Sequence, residues 1–211
     1  MSQITVIFIH LDDSDYSTFH DHGTTHLSTV DKDGLAVSIT STVNLIFGSL
    51  LMEPQTGIIL NDQLDDFSIP GKSNYFGLKP STSNYIAPGK RPQSSTAPAL
   101  VLKNGRLVLN IGGSGGSRIG TAVFQTILRV LDYKIPVNQA IQMPRIHHQL
   151  LPNVLEVEQA MEDDIIKNLK LKNHTLSTVD KTFSAVQAVF VKENKIYAGA
   201  DYRKNGQPAG Y

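Results

Sequence analysis

Residues 24–44 read TTHLSTVDKDGLAVSITSTVN. The residues on either side of Asp31-Lys32-Asp33-Gly34 are rich in β-branched side chains and roughly alternate, which predicts two strands. The glycine can take a positive φ, as in a three-residue hairpin loop with a bulge. We therefore predict an antiparallel hairpin in which Thr24 lies across from Thr42, with Asn44 just beyond. Two hydroxyls and an amide then gather at one end of the hairpin.

The remainder of the chain predicts further strands and helices in an α+β order. Residues 53–98 are rich in Gly, Pro, Ser and Asn, which predicts a long loop that carries function or packs as a surface element. Hairpins are predicted at 99–102 with 107–111, joined by an Asn-Gly turn, and at 185–191 with 195–200. Helices are predicted at about 118–131, 137–143 and 163–171. Strand pairs, then helices, then strands are typical of an α+β layered domain.

The composition excludes several classes of protein. Nineteen basic residues balance nineteen acidic ones, which argues against a chain that coats nucleic acid or an anionic membrane. The absence of cysteine excludes disulfides, thiolate metal sites and a cysteine nucleophile, so a nucleophile must be Ser, Thr, Lys or a carboxylate. No apolar run reaches the roughly 18 residues of a membrane span. The apolar stretch 4–9 lacks the features of a signal peptide and is expected to be a short strand or a vestige of a longer segment.

The glycine-rich run at 112–116 follows a predicted strand and opens a predicted helix, where backbone N–H groups gather around an anion. The dinucleotide fingerprint fails because its third glycine position is Arg118. The Walker A motif fails because no Gly-Lys-Ser/Thr closes the loop. Two interpretations stay open: amide donors for an oxyanion, and tight backbone geometry alone.

Other polar clusters have ordinary interpretations. The spacing of His20, His22 and His26 suggests a metal site, but no second ligand cluster follows, which favours a solvated linker. The pair His147-His148 is expected to make structural hydrogen bonds. Adjacent side chains point opposite ways in an extended chain, so Asp65-Asp66 is not an acid/base pair, although one of the two carboxylates could bind an ammonium group.

Taken together and in order, these segments resemble the small subunit of γ-glutamyltransferase (glutathione hydrolase), an N-terminal-nucleophile hydrolase. The resemblance runs from about Asp21 to Tyr211, and the stretch DHGTTHLS at 21–28 is most similar to fungal members. The motifs that carry it are Gly23-Thr24-Thr25-His26, Ser41-Thr42-Val43-Asn44, Gly57-Ile58-Ile59-Leu60-Asn61, Asp65-Asp66-Phe67-Ser68, Pro88-Gly89-Lys90-Arg91-Pro92, Ser94-Ser95, Gly115-Gly116, Pro144-Arg145, His148-Gln149-Leu150-Leu151-Pro152-Asn153 and Pro208-Ala209-Gly210-Tyr211.

The resemblance implies an αββα sandwich and a role for each of nine residues. Thr24 would cut the Gly23–Thr24 bond and then attack the γ-glutamyl carbonyl, with its freed α-amine, of pKa about 8, as the base. Thr42 would support this nucleophile, and Gly115 and Gly116 would form the oxyanion hole. Substrate contacts would come from Asn44, Gln63, Asp66, Ser94 and Ser95, with Asp66 on the α-ammonium group. The resemblance implies no cofactor and no metal.

The resemblance also implies partners. The γ-glutamyl group of glutathione or a related amide would pass to water, an amino acid or a peptide, and no nucleic acid is expected. A large subunit is expected as the heterodimer partner, because it supplies half of the sandwich and an arginine for the substrate α-carboxylate. The sandwich is expected to be incomplete without it. Family members occur in the secretory pathway, in vacuoles or at the cell surface, but this sequence assigns no compartment.

The expected organisation is a linker or remnant at residues 1–23, ahead of the processing site, and a small-subunit-like domain at residues 24–211. Two alternatives to a catalytic subunit stay open. The first is an inactive truncated homologue or interaction protein that keeps the motifs without maturing. The second is another N-terminal-nucleophile amidase, for which Asp66 would not select a free α-amino group.

Overall fold

The computed structural model of the chain describes residues 4–9, 23–180 and 184–210, the first of these ranges by its backbone alone. The interpretation of residues 10–22 as a linker, and with it His20 and His22, lies outside the described residues. The strands of the described residues are β1 (Ile4–Ile9), β2 (Thr24–Asp31), β3 (Ala36–Thr42), β4 (Ala99–Lys103), β5 (Arg106–Ser114), β6 (Ile146–His147), β7 (Leu155–Glu158), β8 (Leu176–Val179), β9 (Ala185–Lys192), β10 (Lys195–Ala200) and β11 (Gly206–Pro208). The helices are α1 (Ile119–Leu131), α2 (Val137–Gln142) and α3 (Asp163–Leu171).

Two four-stranded sheets pack face to face. The first sheet has the order β11-β1-β2-β3 and the second has the order β10-β9-β5-β4. Strands β2 and β3 lie against β5, and helices α1 and α2 cover the other face of the second sheet. A third, small sheet has the order β6-β7-β8, and α3 connects its parallel pair β7 and β8.

The hairpin of β2 and β3 has the predicted register. Thr24 pairs with Thr42 and Val30 pairs with Ala36. Gly34 has a φ of +87°, and the Asp31 carboxylate accepts hydrogen bonds from the backbone N–H groups of Asp33 (2.9 Å) and Leu35 (2.8 Å). The turn chemistry therefore fixes which residues meet at the far end of the hairpin.

The other predicted elements are confirmed to within a few residues. Both remaining hairpins turn through two residues of positive φ, Asn104-Gly105 and Glu193-Asn194, as their short loops require. The segment 53–98 is a long connection that holds two short 3-10 helices, Gln63–Asp66 and Thr82–Asn84. The third sheet was not predicted, because its strands span only two to four residues and mix polar with apolar side chains. The stretch 4–9, left open from the sequence, forms β1 between β2 and β11.

The apolar core lies between the second sheet and its helices. Leu109 and Ile111 of β5 are fully buried there against residues such as Ile119 and Ile141. The layer between the two sheets is more polar, because β5 turns Asn110 towards the first sheet, where its amide donates to the carbonyls of Thr29 (2.9 Å) and Val37 (2.8 Å). Each buried polar group there is costly unless it is hydrogen-bonded, so these bonds fix the spacing of the sheets.

The predicted α+β class is confirmed, and the described residues supply helix, sheet and sheet of an αββα sandwich. Helices α1 and α2 cover the second sheet. On the first sheet, Val37 and Ile39 on the outer face of β3 are 47% and 52% exposed. No helix in the described ranges is long and apolar enough to cross a membrane.

Candidate active site

The nucleophile predicted from the sequence lies at the end of the β2–β3 hairpin. Thr24 is 8% exposed, and its Oγ1 is 2.8 Å from Oγ1 of Thr42. The Thr42 hydroxyl also accepts a hydrogen bond from the backbone N–H of Asn44 (2.8 Å). Asn44 has a φ of +74°, which asparagine tolerates better than most residues, and its side chain is directed to the carbonyl of Asp62. The structure thus brings together the three residues that the register argument placed here.

The main chain at Thr24 is tightly held. The Gly23 N–H donates to the carbonyl of Asn44 (3.0 Å), and the Val43 N–H donates to the carbonyl of Gly23 (2.8 Å). A Cβ at position 23 would overlap with the carbonyl oxygen of Leu45 and with a methyl group of Val43, so only glycine fits. Lys204, which is 9% exposed, donates from Nζ to the Thr24 carbonyl (2.8 Å).

The predicted oxyanion turn lies between β5 and α1. Gly115 and Gly116 have φ values of +126° and +58°, and a 3-10 turn, Gly116–Arg118, leads into the helix. The side chains that follow fix the turn: Ser117 donates to Gln149 Oε1 (2.8 Å), and Arg118 makes a two-pronged ion pair with Glu156 (2.7 and 2.5 Å). The turn is therefore both glycine-dependent and anchored to the third sheet.

One cavity of about 270 Å³ joins these elements. Eight of the nine predicted site residues line it, and the ninth, Gly115, is the chain neighbour of one that does. The eight are Thr24, Thr42, Asn44, Gln63, Asp66, Ser94, Ser95 and Gly116. Ser94 and Ser95 are exposed at the edge of the cavity, and the Ser94 hydroxyl donates a hydrogen bond to Oγ1 of Thr96 (3.1 Å).

Asp66 is the more buried of the two acidic residues that line this cavity. Burial raises the pKa of its carboxyl group, an effect opposed by the hydrogen bond from Gln63 and reinforced by the nearby Asp62 and Asp65. Asp65 and Asp66 lie in a 3-10 helix and both line the cavity, so the extended chain expected at this pair from the sequence is wrong. Asp65 is exposed and Asp66 is half-buried, so a positive charge placed beside Asp66 would be screened less by water than one beside Asp65.

His26, His147 and His148 each have hydrogen-bond partners. His26 faces the second sheet, with Nδ1 2.8 Å from the Thr40 hydroxyl and Nε2 3.0 Å from the Ser28 hydroxyl, and burial lowers its pKa to about 4. His147 and His148 hydrogen-bond to neighbouring side chains, as predicted. Within the described ranges, no group of three or more His, Cys, Asp or Glu side chains is arranged to hold a metal ion.

Sequence reasoning missed three residues that shape the site. Lys204 comes from a 3-10 turn near the chain end, and Phe76 comes from the long loop and packs its ring on Gly116. Gln149 was noted only as part of a motif, but its amide connects the glycine turn to the Phe76 segment. No local pattern signals such contacts, because each spans more than 30 residues of sequence.

Comparison with known proteins gives consistent matches over most of the chain. The model of the family described as gamma-glutamyltranspeptidase matches residues 7–211, so the match begins earlier than the expected start near Asp21. Glutathione hydrolase proenzyme 1 of Schizosaccharomyces pombe is 46% identical over 200 residues, which are 94% of this chain and 32% of that protein. Scoloptoxin SSD20 of Scolopendra dehaani is 43% identical over 190 residues, which are 89% of this chain and 96% of that protein.

A solved structure agrees with these matches. The crystal structure of a threonine-to-alanine mutant of Helicobacter pylori gamma-glutamyltranspeptidase superposes with a TM-score of 0.81 at 40% identity, over 85% of this chain and all of that chain. The chain spans about a third of the length of the glutathione hydrolase proenzymes it matches. On the family match and the similarity of both sequence and fold, this chain belongs to the γ-glutamyltranspeptidase family.

Proposed function

We propose that this chain is the small-subunit portion of a γ-glutamyltransferase that cleaves the Gly23–Thr24 bond and then uses Thr24 as its nucleophile. The observation that carries the proposal is the Thr24–Thr42 hydroxyl pair (2.8 Å) in one cavity with Asp66 and Gly116. A threonine nucleophile, a carboxylate for an ammonium group and a glycine turn for an oxyanion are the parts that γ-glutamyl transfer needs.

Cleavage comes first in this proposal. The Thr24 hydroxyl attacks the carbonyl carbon of Gly23, and its proton passes to the Thr24 nitrogen as the C–N bond breaks. This shift frees the α-amine of Thr24, and water then hydrolyses the resulting ester, which releases Gly23 as a carboxylate and restores the Thr24 hydroxyl. The hydrogen bond from the Val43 N–H to the Gly23 carbonyl (2.8 Å) supports this step, because it polarises the bond that is attacked.

Turnover uses the amine that cleavage releases. An amine of pKa about 8 accepts the hydroxyl proton of the same residue, which a peptide nitrogen cannot do. Thr24 Oγ1 attacks the γ-carbonyl carbon of glutathione or a related amide, and the leaving amine takes up the proton. Water, an amino acid or a peptide then attacks the γ-glutamyl ester, which frees Thr24. Gly115 and Gly116 are the proposed donors to the oxyanion in both halves of the reaction.

Substrate selection in the proposal rests on Asp66. Its half-buried carboxylate would hold the substrate α-ammonium group, and Asn44, Gln63, Ser94 and Ser95 would make the remaining polar contacts. Asp66→Asn should therefore lower kcat/KM for a γ-glutamyl substrate with a free α-amino group much more than it lowers kcat/KM for the N-acylated amide. Equal effects on both substrates would favour a generic amidase instead.

A large-subunit partner is part of the same proposal. Val37 and Ile39 are half exposed on the outer face of β3, where an αββα sandwich has its second helical layer. Beside the site, the segment 46–60 exposes a series of apolar side chains, namely Ile46, Phe47, Leu50, Leu51, Met52, Ile58, Ile59 and Leu60. Apolar surface of this extent is typical of a protein interface.

Intact-mass measurement on the purified chain tests the first step. We expect the 211-residue species to convert into fragments 1–23 and 24–211, and Thr24→Ala to abolish the conversion. Thr25→Ala is the matched control, because Thr25 is exposed on the opposite face of β2. Hydrolysis of a γ-glutamyl anilide, with and without a large subunit from a related proenzyme, then tests catalysis. Persistence of the uncut chain under both conditions would favour a non-maturing interaction protein.

A further inference from the structure

The side-chain amide of Gln149 connects several separate parts of the molecule. Its Oε1 accepts a hydrogen bond from the Ser117 hydroxyl (2.8 Å) and lies 3.1 Å from Nε2 of His147. Its Nε2 donates to the carbonyl oxygens of Phe76 (2.7 Å) and Leu151 (3.1 Å). One amide thus links the glycine turn, strand β6, the long loop and the proline-bounded loop that follows β6.

The orientation of this amide is fixed by what faces it. Two carbonyl oxygens lie on the Nε2 side, so a rotation that exchanged Oε1 and Nε2 would set oxygen against oxygen. Burial lowers the pKa of His147, so its ring is neutral near pH 7. A neutral ring with its proton on Nε2 donates to Gln149 Oε1. Its Nδ1 lies 2.8 Å from the Thr121 hydroxyl, whose single proton is shared between this nitrogen and the Arg118 carbonyl (3.0 Å).

The segment that Gln149 holds forms a wall of the cavity. We call residues 74–78 the wall segment. Asn74 Oδ1 accepts from the backbone N–H groups of Phe76 and Leu78 (both 3.0 Å), and the Asn74 N–H donates to the Leu78 carbonyl (3.1 Å). The Phe76 ring lies directly on Gly116, where a Cβ would overlap with it. The wall segment is therefore a compact turn that covers one side of the glycine turn.

We propose that Gln149 is a positioning residue that holds the wall segment against the glycine turn and so keeps water away from the bond-forming region at Gly116. The catalytic part of this inference rests on the function proposed above. The contact itself does not, since it concerns only how two loops are held together. A loosened wall segment would admit water to the γ-glutamyl ester, and the ratio of transfer to hydrolysis would fall.

Gln149→Glu tests the donor side of the amide separately from its acceptor side. A carboxylate still accepts from Ser117 and His147, but it cannot donate to the carbonyl of Phe76 and would repel that oxygen. Gln139→Glu is the matched control, because it makes the same chemical change at an exposed position on α2. Ser117→Ala is the complementary variant, because it removes only the contact on the glycine-turn side.

Hydrogen–deuterium exchange on the full chain tests the contact without any need for activity. In Gln149→Glu we expect amide exchange across residues 74–80 to become roughly tenfold faster, as the loss of about one hydrogen bond implies. Gln139→Glu and Ser117→Ala should leave exchange across residues 74–80 unchanged. Unchanged exchange in Gln149→Glu would overturn the inference, whether or not the chain is an enzyme.

The ratio of transfer to hydrolysis tests the catalytic consequence on the processed protein with its large subunit. With a γ-glutamyl anilide and a dipeptide acceptor, Gln149→Glu should lower this ratio several-fold and raise KM for the acceptor, while Gln139→Glu should not. Faster exchange with an unchanged ratio would overturn the role in excluding water. If the processed protein shows no turnover, or only turnover that persists in Thr24→Ala, this result would count against the proposed function. The exchange measurement would still decide whether Gln149 holds the wall segment.

Discussion

Acidification from pH 7.5 to pH 4.5 should destabilise the folded chain through His26, which lies between the two four-stranded sheets. The residue is 1% exposed, and burial lowers its pKa from 6.5 to about 4. The unfolded chain therefore binds a proton near pH 6.5 that the folded chain does not bind until about pH 4. The corresponding stabilisation is fully present above pH 6.5 and is lost as the pH falls towards 4. A difference of about 2.5 pKa units, at about 1.4 kcal/mol each, amounts to about 3.5 kcal/mol of unfolding free energy over the full titration.

Urea unfolding followed by far-UV circular dichroism measures this effect, since the chain has no tryptophan to serve as a fluorescent probe. His26→Gln is the control variant, because glutamine keeps hydrogen-bonding capacity towards the hydroxyls of Ser28 and Thr40 but does not titrate. All other ionisable groups are common to both proteins, so the difference between their unfolding free energies isolates His26. This difference should fall by about 2–3 kcal/mol between pH 7.5 and pH 4.5. A difference that stays constant over this range would refute the assignment of His26 as a buried neutral base.

Three further predictions concern the site and its support. Thr42→Val keeps the volume but removes the hydroxyl beside the proposed nucleophile, so kcat/KM should fall by about 10- to 100-fold. Ser41→Ala on the opposite face of β3 should match the wild type, and equal losses in the two variants would contradict the role of the hydroxyl pair. Gly23→Ala would force a methyl group against the Leu45 carbonyl oxygen, so intact-mass time courses should show that cleavage is slowed at least about tenfold. Gly120→Ala is the control and should cleave at the wild-type rate, because Gly120 has open space around it. Arg203→Leu removes the guanidinium that binds two buried carboxylates, so urea unfolding should show a loss of about 3–5 kcal/mol, and a loss below about 1 kcal/mol would show that this network contributes little.

The sequence predicts the parts of the fold that depend on local chemistry. The turn at Asp31–Gly34 sets the hairpin register, and from it the meeting of Thr24 and Thr42 follows without knowledge of the rest of the molecule. The Asn104-Gly105 turn and the period of α1 are local signals of the same kind. Such features need only the preferences of neighbouring residues, which is why they are predictable from one sequence.

The contacts that complete the site are set by packing between distant segments. Lys204 reaches the Thr24 carbonyl because β11 returns the chain end to the first sheet, and no spacing in the sequence records that return. The third sheet is similar, since β7 and β8 are stabilised by pairing across α3 rather than by their own patterning. For the residues whose site roles were inferred by resemblance, such as Gln63 and Ser95, the structure adds their common position on one cavity.

The bond before Thr24 lies at the end of the β2–β3 ladder, where Gly23 is hydrogen-bonded to Val43 and Asn44, the two residues that follow β3. A cut at this position would remove covalent continuity and leave the alignment of the two new ends unchanged. An ammonium group and a carboxylate would appear side by side, and such a pair attracts by about 1–4 kcal/mol at a protein surface. The nicked protein should then keep the circular dichroism of its precursor, and salt would screen the new pair. Release of the departing segment would also require β1 to leave its place between β2 and β11. Processing and release would be two events with separate rates, the first set by bond cleavage and the second by the loss of the pairing of β1 with β2 and β11.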